Sequence, residues 1–465
     1  MLKAVTENYV NDAMNRFLID TASNLGNRKF TWLWVLLTWL TFNTCLILFQ
    51  PNHGELYSSL FSKTAFMFNW ALALMVSFAF LLKYKRSDNQ SFSTTFKIVA
   101  VVLAWILRIL LSRMGGNYDL ESFEIVGDHI LNGDNFYQET SRYNYGPIWA
   151  YLCAGMKYLS SIGGGYNPLV FHSYMASLLF AFELLLLNTL RKFGYNQLSL
   201  LIGLFNPVSI ILIGHHSQFD VMALALGFIS LLHLQKGQTL LACLFLGLSL
   251  TTKHILAFLP LIFLFRKEIS VKAKVMYLIL PSLIFAFSFL PFLDAWANIK
   301  SNVIGYQLNH GQTLIYKIGD ILFPHFITDF EVLKYIPFGN AYKPLWLAII
   351  IGFGYWSRNR NFLESALIYL LTILAFSPAI SEQYFIIAMP VVLYCLRHWS
   401  AWLYVLMSSY YLQFVSQHNT SKYFNFSHLG LNLDNHWTAI GFAQIQIIML
   451  FILFDLIKKS KAHVQ

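Results

Sequence analysis

The sequence predicts an all-α, polytopic membrane protein, and three observations carry that prediction. Hydrophobic residues make up 57% of the 465 positions and charged residues only 12%, with a mean hydropathy of +0.54; such a chain is too apolar to fold around one core and still face water. Apolar runs recur near residues 30–49, 65–82, 96–112, 168–190, 199–214, 221–234, 239–263, 274–292, 345–356, 363–377, 384–396, 400–415 and 438–457. Lysine and arginine collect in the short connections between those runs, as they do on the cytoplasmic side of membrane proteins.

Several runs fall short of the roughly 20 residues that a straight lipid-facing crossing needs. They are expected to be broken, tilted or re-entrant helices, giving roughly ten to thirteen full or partial crossings. The predicted organisation is an amphipathic cytoplasmic segment over residues 1–29 containing Val10, Met14, Phe17 and Leu18, one transmembrane domain over 30–457, and a basic tail over 458–465. Outer loops are expected near 113–147 and 293–344.

Lys83, Lys85, Arg86 and Lys97 mark one cytoplasmic loop, and Arg266, Lys267, Lys272 and Lys274 another. Arg358, Arg360, Arg397 and the tail lysines Lys458, Lys459 and Lys461 extend the same bias. Both termini then lie in the cytoplasm and the Tyr118–Pro147 segment outside. The stretch Ile148–Ile162 is apolar enough to enter the membrane, and the sequence leaves open whether it crosses. The formal charge of +10 is mostly this loop bias; nucleic-acid binding would need a concentrated basic surface, which the sequence lacks.

Residues 1–29 are mixed polar and precede a full-length apolar span, so no cleavable signal peptide is expected. Cys45, Cys153, Cys243 and Cys395 fall in apolar surroundings without metal or redox spacing and read as packing residues. No internal repeat, phosphate-binding glycine loop or HExxH motif is present, so an ATP-driven transporter would need a partner subunit.

The densest chemistry lies in the outer segment. Between Gly115 and Ser141 stand Asp119, Glu121, Glu124, Asp128, Asp134 and Glu139, with no lysine or arginine in that stretch to pair with them. Tyr118, Phe123, Phe136, Tyr137, Tyr143 and Tyr145 accompany them, as suits a surface against the membrane interface or against sugar rings. Leu120, Phe123, Ile125, Val126, Ile130 and Leu131 have partly helical spacing, which predicts a short amphipathic helix over 120–131 ended by a turn at Gly133. In an extended or turning lead into that helix, Asp119 and Glu121 would converge on one site, where a carboxylate can act as general base. Asp128 reads as solvent-facing. Arg142 has two readings, a phosphate contact or the neutralising partner of one of the acids.

Three later polar breaks interrupt apolar runs. GHHSQFD places His215, His216, Ser217, Gln218 and Asp220 between two short membrane segments, an arrangement that builds solute sites. Anion or sugar binding, a metal held by His215, His216 and Asp220, and a plain structural break are the competing readings; adjacent histidines on a regular helix point apart. Lys253 and His254 interrupt the next run near Pro260, and a lysine there snorkels or faces a carboxylate or bound anion. SPAISEQYF contributes Gln383 and Tyr384 as hydrogen-bonding candidates beside a helix boundary at Pro378, with an ordinary turn as the alternative. The loop Asp294–Lys343 is long enough to cover a site, and no residue in it is assigned.

The order of DLESF, GDNFYQETSRYNYGP, SQFD, TTKH and EQYF resembles the C-type superfamily of polyprenyl-phosphate-sugar-dependent glycosyltransferases. Within it, the chain is most similar to the branch of the glycosylphosphatidylinositol mannosyltransferase and related bacterial enzymes. Asp119 matches the first position of that family's Asp-x-Asp pair, and Glu121 stands where the family has the second aspartate. Gly133 and Tyr137 match a Gly-x-x-x-Tyr segment, Arg142 and Tyr143 the start of an Arg-Tyr-x-x-Pro element, Lys253 a lysine in a broken helix, and Gln383-Tyr384-Phe385 a late Gln-Tyr-Phe element; the HHSQFD segment is different.

The resemblance implies a C-type glycosyltransferase architecture and an inverting transfer of a hexose, mannose or glucose, from a polyprenyl-phosphate donor to a lipid-linked or surface glycan acceptor. Asp119 and Glu121 are then the catalytic candidates. Arg142, Lys253, His254, His215 and His216 would hold the donor phosphate, and Tyr137, Tyr143, Gln218, Asp220, Gln383 and Tyr384 the sugar or acceptor. No cofactor is required, although the acidic cluster has ligands for a divalent metal. The implied location is a bacterial plasma membrane, or the endoplasmic reticulum in a eukaryote, with the site on the outer or lumenal side. The rival readings are a multi-pass transporter or lipid-glycan flippase and an oligosaccharide polymerase or ligase.

Overall fold

A computed structural model describes residues 92–113, 117–305, 338–376, 381–412 and 436–461. The expected spans at 30–49 and 65–82, the amphipathic N-terminal segment, residues 306–337 of the long loop, Pro378 and the last tail residues lie outside them. All elements among the described residues are helical. They are α1 (Thr94–Ser112), α2 (Tyr118–Leu131), α3 (Phe136–Glu139), α4 (Pro147–Ser161), α5 (Pro168–Lys192), α6 (Gln197–Leu204) and α7 (Pro207–Ile210), which continues as a π-helix over Ile211–His215. Then follow α8 (Asp220–Gln235), α9 (Thr239–Thr252), α10 (Leu259–Ile262), α11 (Val271–Phe287), α12 (Trp296–Ile299), α13 (Phe338–Ser357), α14 (Phe362–Phe376), α15 (Met389–Tyr394), α16 (Trp399–Tyr410) and α17 (His436–Lys461).

Short polar residues set where these helices begin. The side chains of Asn117, Asn167, Asn196 and Asn206 accept from the first free backbone amides of α2, α5, α6 and α7, satisfying donors that no helical carbonyl reaches. Pro147, Pro168 and Pro207 open α4, α5 and α7, where a missing N–H costs nothing.

Among the described residues two helices, α1 and α5, are long and apolar enough to cross a membrane. The number rises to as many as four if each bent pair forms one span: α6 with Pro207–His215, bent by 42°, and α11 with Leu290–Ile304, bent by 67°. Among the described residues this is fewer full-length crossings than the apolar runs suggest. The polar breaks are the reason: α8, α9, α14 and the pieces around them are apolar but only 10–17 residues long, shorter than a straight crossing needs.

Helix direction is fixed by side-chain contacts. Arg113 Nε donates to Ser173 Oγ at 3.1 Å and Arg108 Nη2 to Glu183 Oε1 at 2.8 Å, so α1 and α5 run antiparallel. His172 and Glu124 lie 3.0 Å apart, and Lys157 Nζ donates to Asp128 Oδ2 at 2.5 Å. The later part of α4 therefore packs back on α2, and because α1 finishes and α5 starts at the same end of the bundle, the chain between them makes no net change of direction: Ile148–Ile162 folds back along α2. The same contacts supply the acids with partners distant in sequence; Asp128 is paired as well as solvent-facing.

Charge is segregated along the bundle. The acids of α2 and its loop gather at this end, whereas Arg191 and Lys192 end α5. Arg266 meets the carbonyl of Arg360 and the hydroxyl of Ser365 at the opposite end.

Inside the bundle, Arg108 and Glu183 form an ion pair at 2.7 Å, with side chains 0% and 2% exposed. Arg108 also donates to the carbonyls of Ala104 and Leu204, and Ser209 donates to Glu183. One polar node thus ties α1, α5, α6 and α7 together. Removing one member of a buried pair leaves the other charge uncompensated, so Glu183→Ala is expected to cost about 3–5 kcal/mol. The double substitution Arg108→Met with Glu183→Leu should recover most of that loss, as read by thermal unfolding in detergent.

Candidate functional site

The site forms where four segments distant in sequence meet at the acidic end. Lys253 ends α9 in extended backbone, because the chain leaves the helix at Thr252. Its ammonium, 2% exposed, donates to Asp220 Oδ2 and to Gln383 Oε1, each at 2.7 Å. Tyr145, Phe219 and Tyr384 present their rings 5.0, 5.0 and 5.1 Å from the same nitrogen, a cation–π surround. A lysine ammonium has three donors, and these two bonds leave one for another oxygen.

The SQFD turn carries the acid side of the site. The π-helical turn Ile211–His215 leads to Ser217, the one non-glycine among the described residues with positive φ, at 50°. A left-handed serine costs about 1–2 kcal/mol and is held here by the amide of Gln218, which donates to the Leu212 carbonyl at 2.8 Å. The turn points Gln218 Nε2 at Asp119 Oδ2, 2.7 Å away, and starts α8 at Asp220. Ser217 Oγ, Gln218 Oε1 and Asp220 Oδ1 are buried with no hydrogen-bond partner among the described residues. Phe219, between them, stacks on Trp149 at 4.4 Å and meets Tyr145 edge-on at 4.7 Å.

Asp119 and Glu121 do not converge as the sequence suggests. The helix starts at Tyr118, so the two acids sit in its first turn, and residues two apart on a helix point about 200° apart. Asp119 faces Gln218. Glu121 faces Arg142, 3.0 Å away, and is 64% exposed. Arg142 also donates to the Tyr118 carbonyl at 2.9 Å and to Ser122 Oγ at 3.0 Å, and lies 3.8 Å over the Tyr118 ring. Of its two readings, the structure shows the ion pair.

Tyr137 and Tyr143, each 1% exposed, belong to an aromatic cluster with Phe136, Phe289 and Phe292. Their hydroxyls donate to the carbonyls of Tyr145 and Gly146, at 2.7 and 2.6 Å. Burial pushes both phenols above the usual tyrosine range, so they remain neutral donors that fix the loop. Its tip is Gly146, where an added Cβ would stand 2.0 Å from the Thr251 carbonyl oxygen. This close approach brings Tyr145 over Lys253.

His215 and His216 are buried side by side with rings 5.5 Å apart at 72°, and His254 lies beside Phe285. Among the described residues no group of three or more His, Cys, Asp or Glu side chains is placed to hold a metal ion; His215, His216 and Asp220 do not form one. Phe219 completes the site without having been singled out in the sequence, and Tyr145 stood out there only as one of the outer-segment aromatics. Their available signal was position, inside YNYGP and QFD.

No protein-family model, curated protein or solved structure matches the chain. The site therefore stands on its own geometry: a buried cation caged by rings and an acid, beside a partly exposed carboxylate held by an amide.

Gly146→Ala cannot keep the approach to Thr251, so it should lower the melting temperature and increase protease sensitivity near residue 146 in limited proteolysis. Glu121→Gln should change stability by no more than about 1 kcal/mol, as exposed pairs do. Arg142 holds the Glu121 carboxyl below the usual carboxylate range. The pair's contribution is therefore fully present above that range and lost as pH falls through the depressed value; thermal melts of wild type and Glu121→Gln should converge in acid.

Proposed function

We propose that the protein is an inverting membrane glycosyltransferase that moves a hexose from a polyprenyl-phosphate donor to a hydroxyl of a lipid-linked or surface glycan. The observation that carries this reading is the meeting of Asp119, Asp220, Lys253 and Gln383 at one end of an apolar bundle. A transfer from a phosphate leaving group needs a base for the incoming hydroxyl and a cation for the departing charge. The site holds a candidate for each.

In this reading Gln218 fixes Asp119 Oδ2 and leaves Oδ1 to take the acceptor proton. The acceptor oxygen bonds to the anomeric carbon as the bond from that carbon to the phosphate oxygen breaks, and configuration inverts. The departing polyprenyl phosphate takes up the bonding pair, and its new charge is met by the remaining donor of Lys253. Phosphate is already a competent leaving group, so no second carboxylate is needed as general acid, unlike in glycoside hydrolysis. The buried acceptors Gln218 Oε1 and Asp220 Oδ1 suit donors such as sugar hydroxyls better than an anion. The lysine and arginine bias of the opposite end supports a cytoplasmic placement for that end, hence an outer or lumenal site.

A transporter or flippase uses similar broken helices and buried charges, but gives no role to a carboxylate tethered beside the caged lysine. Purified protein in lipid, given radiolabelled polyprenyl-phosphate hexoses and lipid-linked acceptors, should transfer label. Asp119→Asn should reduce kcat by at least about 100-fold, with the melting temperature unchanged. Absence of transfer across a broad donor panel, together with concentrative uptake in sealed vesicles, would favour transport.

A further inference from the structure

The segment Leu290–Ile304 has an unusual place in the bundle. Ser230 joins the Ala242 carbonyl and the Tyr277 hydroxyl near the starts of α9 and α11, and Gly247 packs on Ile284 farther along both, so α11 runs parallel to α9 and ends at the site end. There the chain bends by 67° into Leu290–Ile304. Phe292, Ala295, Ile299 and Val303 are buried against the protein. Asn298 Nδ2 donates to the Tyr137 carbonyl at 3.0 Å and Asp294 Oδ1 accepts from Asn135 at 2.7 Å. Leu290, Leu293, Trp296 and Ile304 are instead 46–59% exposed on the outward side, with exposed Lys300 among them.

We propose that Leu290–Ile304, a run of short helical turns, is an interfacial segment that lies in the plane of the membrane surface and docks the site end onto phospholipid. Its outward residues continue the exposed apolar flank of α11, where Val275, Ile279, Leu283 and Phe287 stand free, so lipid facing α11 reaches the bend. Tryptophan and lysine beside leucines match the boundary between acyl chains and headgroups, where an indole sits at headgroup level and an ammonium reaches lipid phosphate. The bend and the two hydrogen bonds to the Asn135–Tyr137 turn keep the segment at that level and stop it from completing a crossing. The aromatic cluster under the 143–147 loop is thereby braced against the membrane surface. This rests on membrane placement and holds whether or not the site transfers sugar.

Single nitroxide labels at Leu293→Cys and Trp296→Cys, in a cysteine-free background reconstituted in phosphatidylcholine/phosphatidylglycerol nanodiscs, test the placement by accessibility to oxygen and to a water-soluble nickel chelate. Reference labels sit at Gln138, exposed on α3, and at Leu283 on α11. Both test labels should favour oxygen over the chelate and lie shallower than the label at Leu283. With the native cysteines retained, brominated lipid should quench the tryptophan fluorescence of wild type more than that of Trp296→Phe. Chelate access equal to Gln138, a depth equal to Leu283, or shielding from both reagents by a second copy would each overturn the proposal.

Discussion

The rest of the site depends on the position of one charge, the Lys253 ammonium. An isolated charge in an apolar interior is strongly unfavourable, so α9 can end there only where acceptors are already in place. Asp220 from the start of α8 and Gln383 from the break before α15 provide them. A buried pair of this kind adds little net stability over apolar replacements. Its consequence is specificity: two helix ends and a distant break are held in one register. The rings of Tyr145, Phe219 and Tyr384 then exclude water without neutralising the charge.

The acidic loop is connected to this centre by a glycine and a glutamine. Gly146 lets the loop backbone lie against Thr251, and Gln218 reaches from the strained turn at Ser217 to Asp119. Arg108 and Glu183 hold the helices on which that turn rests. Two buried polar nodes, one beneath the site and one within it, thus define the geometry in a bundle whose apolar surfaces would otherwise permit many packings.

Helix positions were legible in the sequence because apolar runs and Asn, Ser and Pro starts report local physics; the run at 168–190 becomes Pro168–Lys192, and that at 363–377 becomes Phe362–Phe376. Crossing lengths were less legible, since a broken helix and a continuous one share composition. Lys253, Asp220, Gln218 and Gln383 stood out as polar residues in apolar settings, and they meet. Glu121 did not reveal its partner, because whether Asp119 and Glu121 converge depends on one residue of helix start, and Asn117 places that start before both. Tyr137 and Tyr143 looked like surface aromatics, but Tyr137 packs on Phe289 and Phe292, about 150 residues away, and Tyr143 on Tyr137 in turn, a contact that no local pattern encodes.

The most direct test of the central claim is a double-mutant cycle on Asp220→Leu and Lys253→Met, read by unfolding free energy in lipid–detergent mixtures. If the two charges compensate each other inside the bundle, each single substitution is strongly destabilising, the double is much less so, and the coupling exceeds about 1 kcal/mol. Additive losses within about 0.3–0.5 kcal/mol would contradict the account, because Lys253 would then not be held by Asp220.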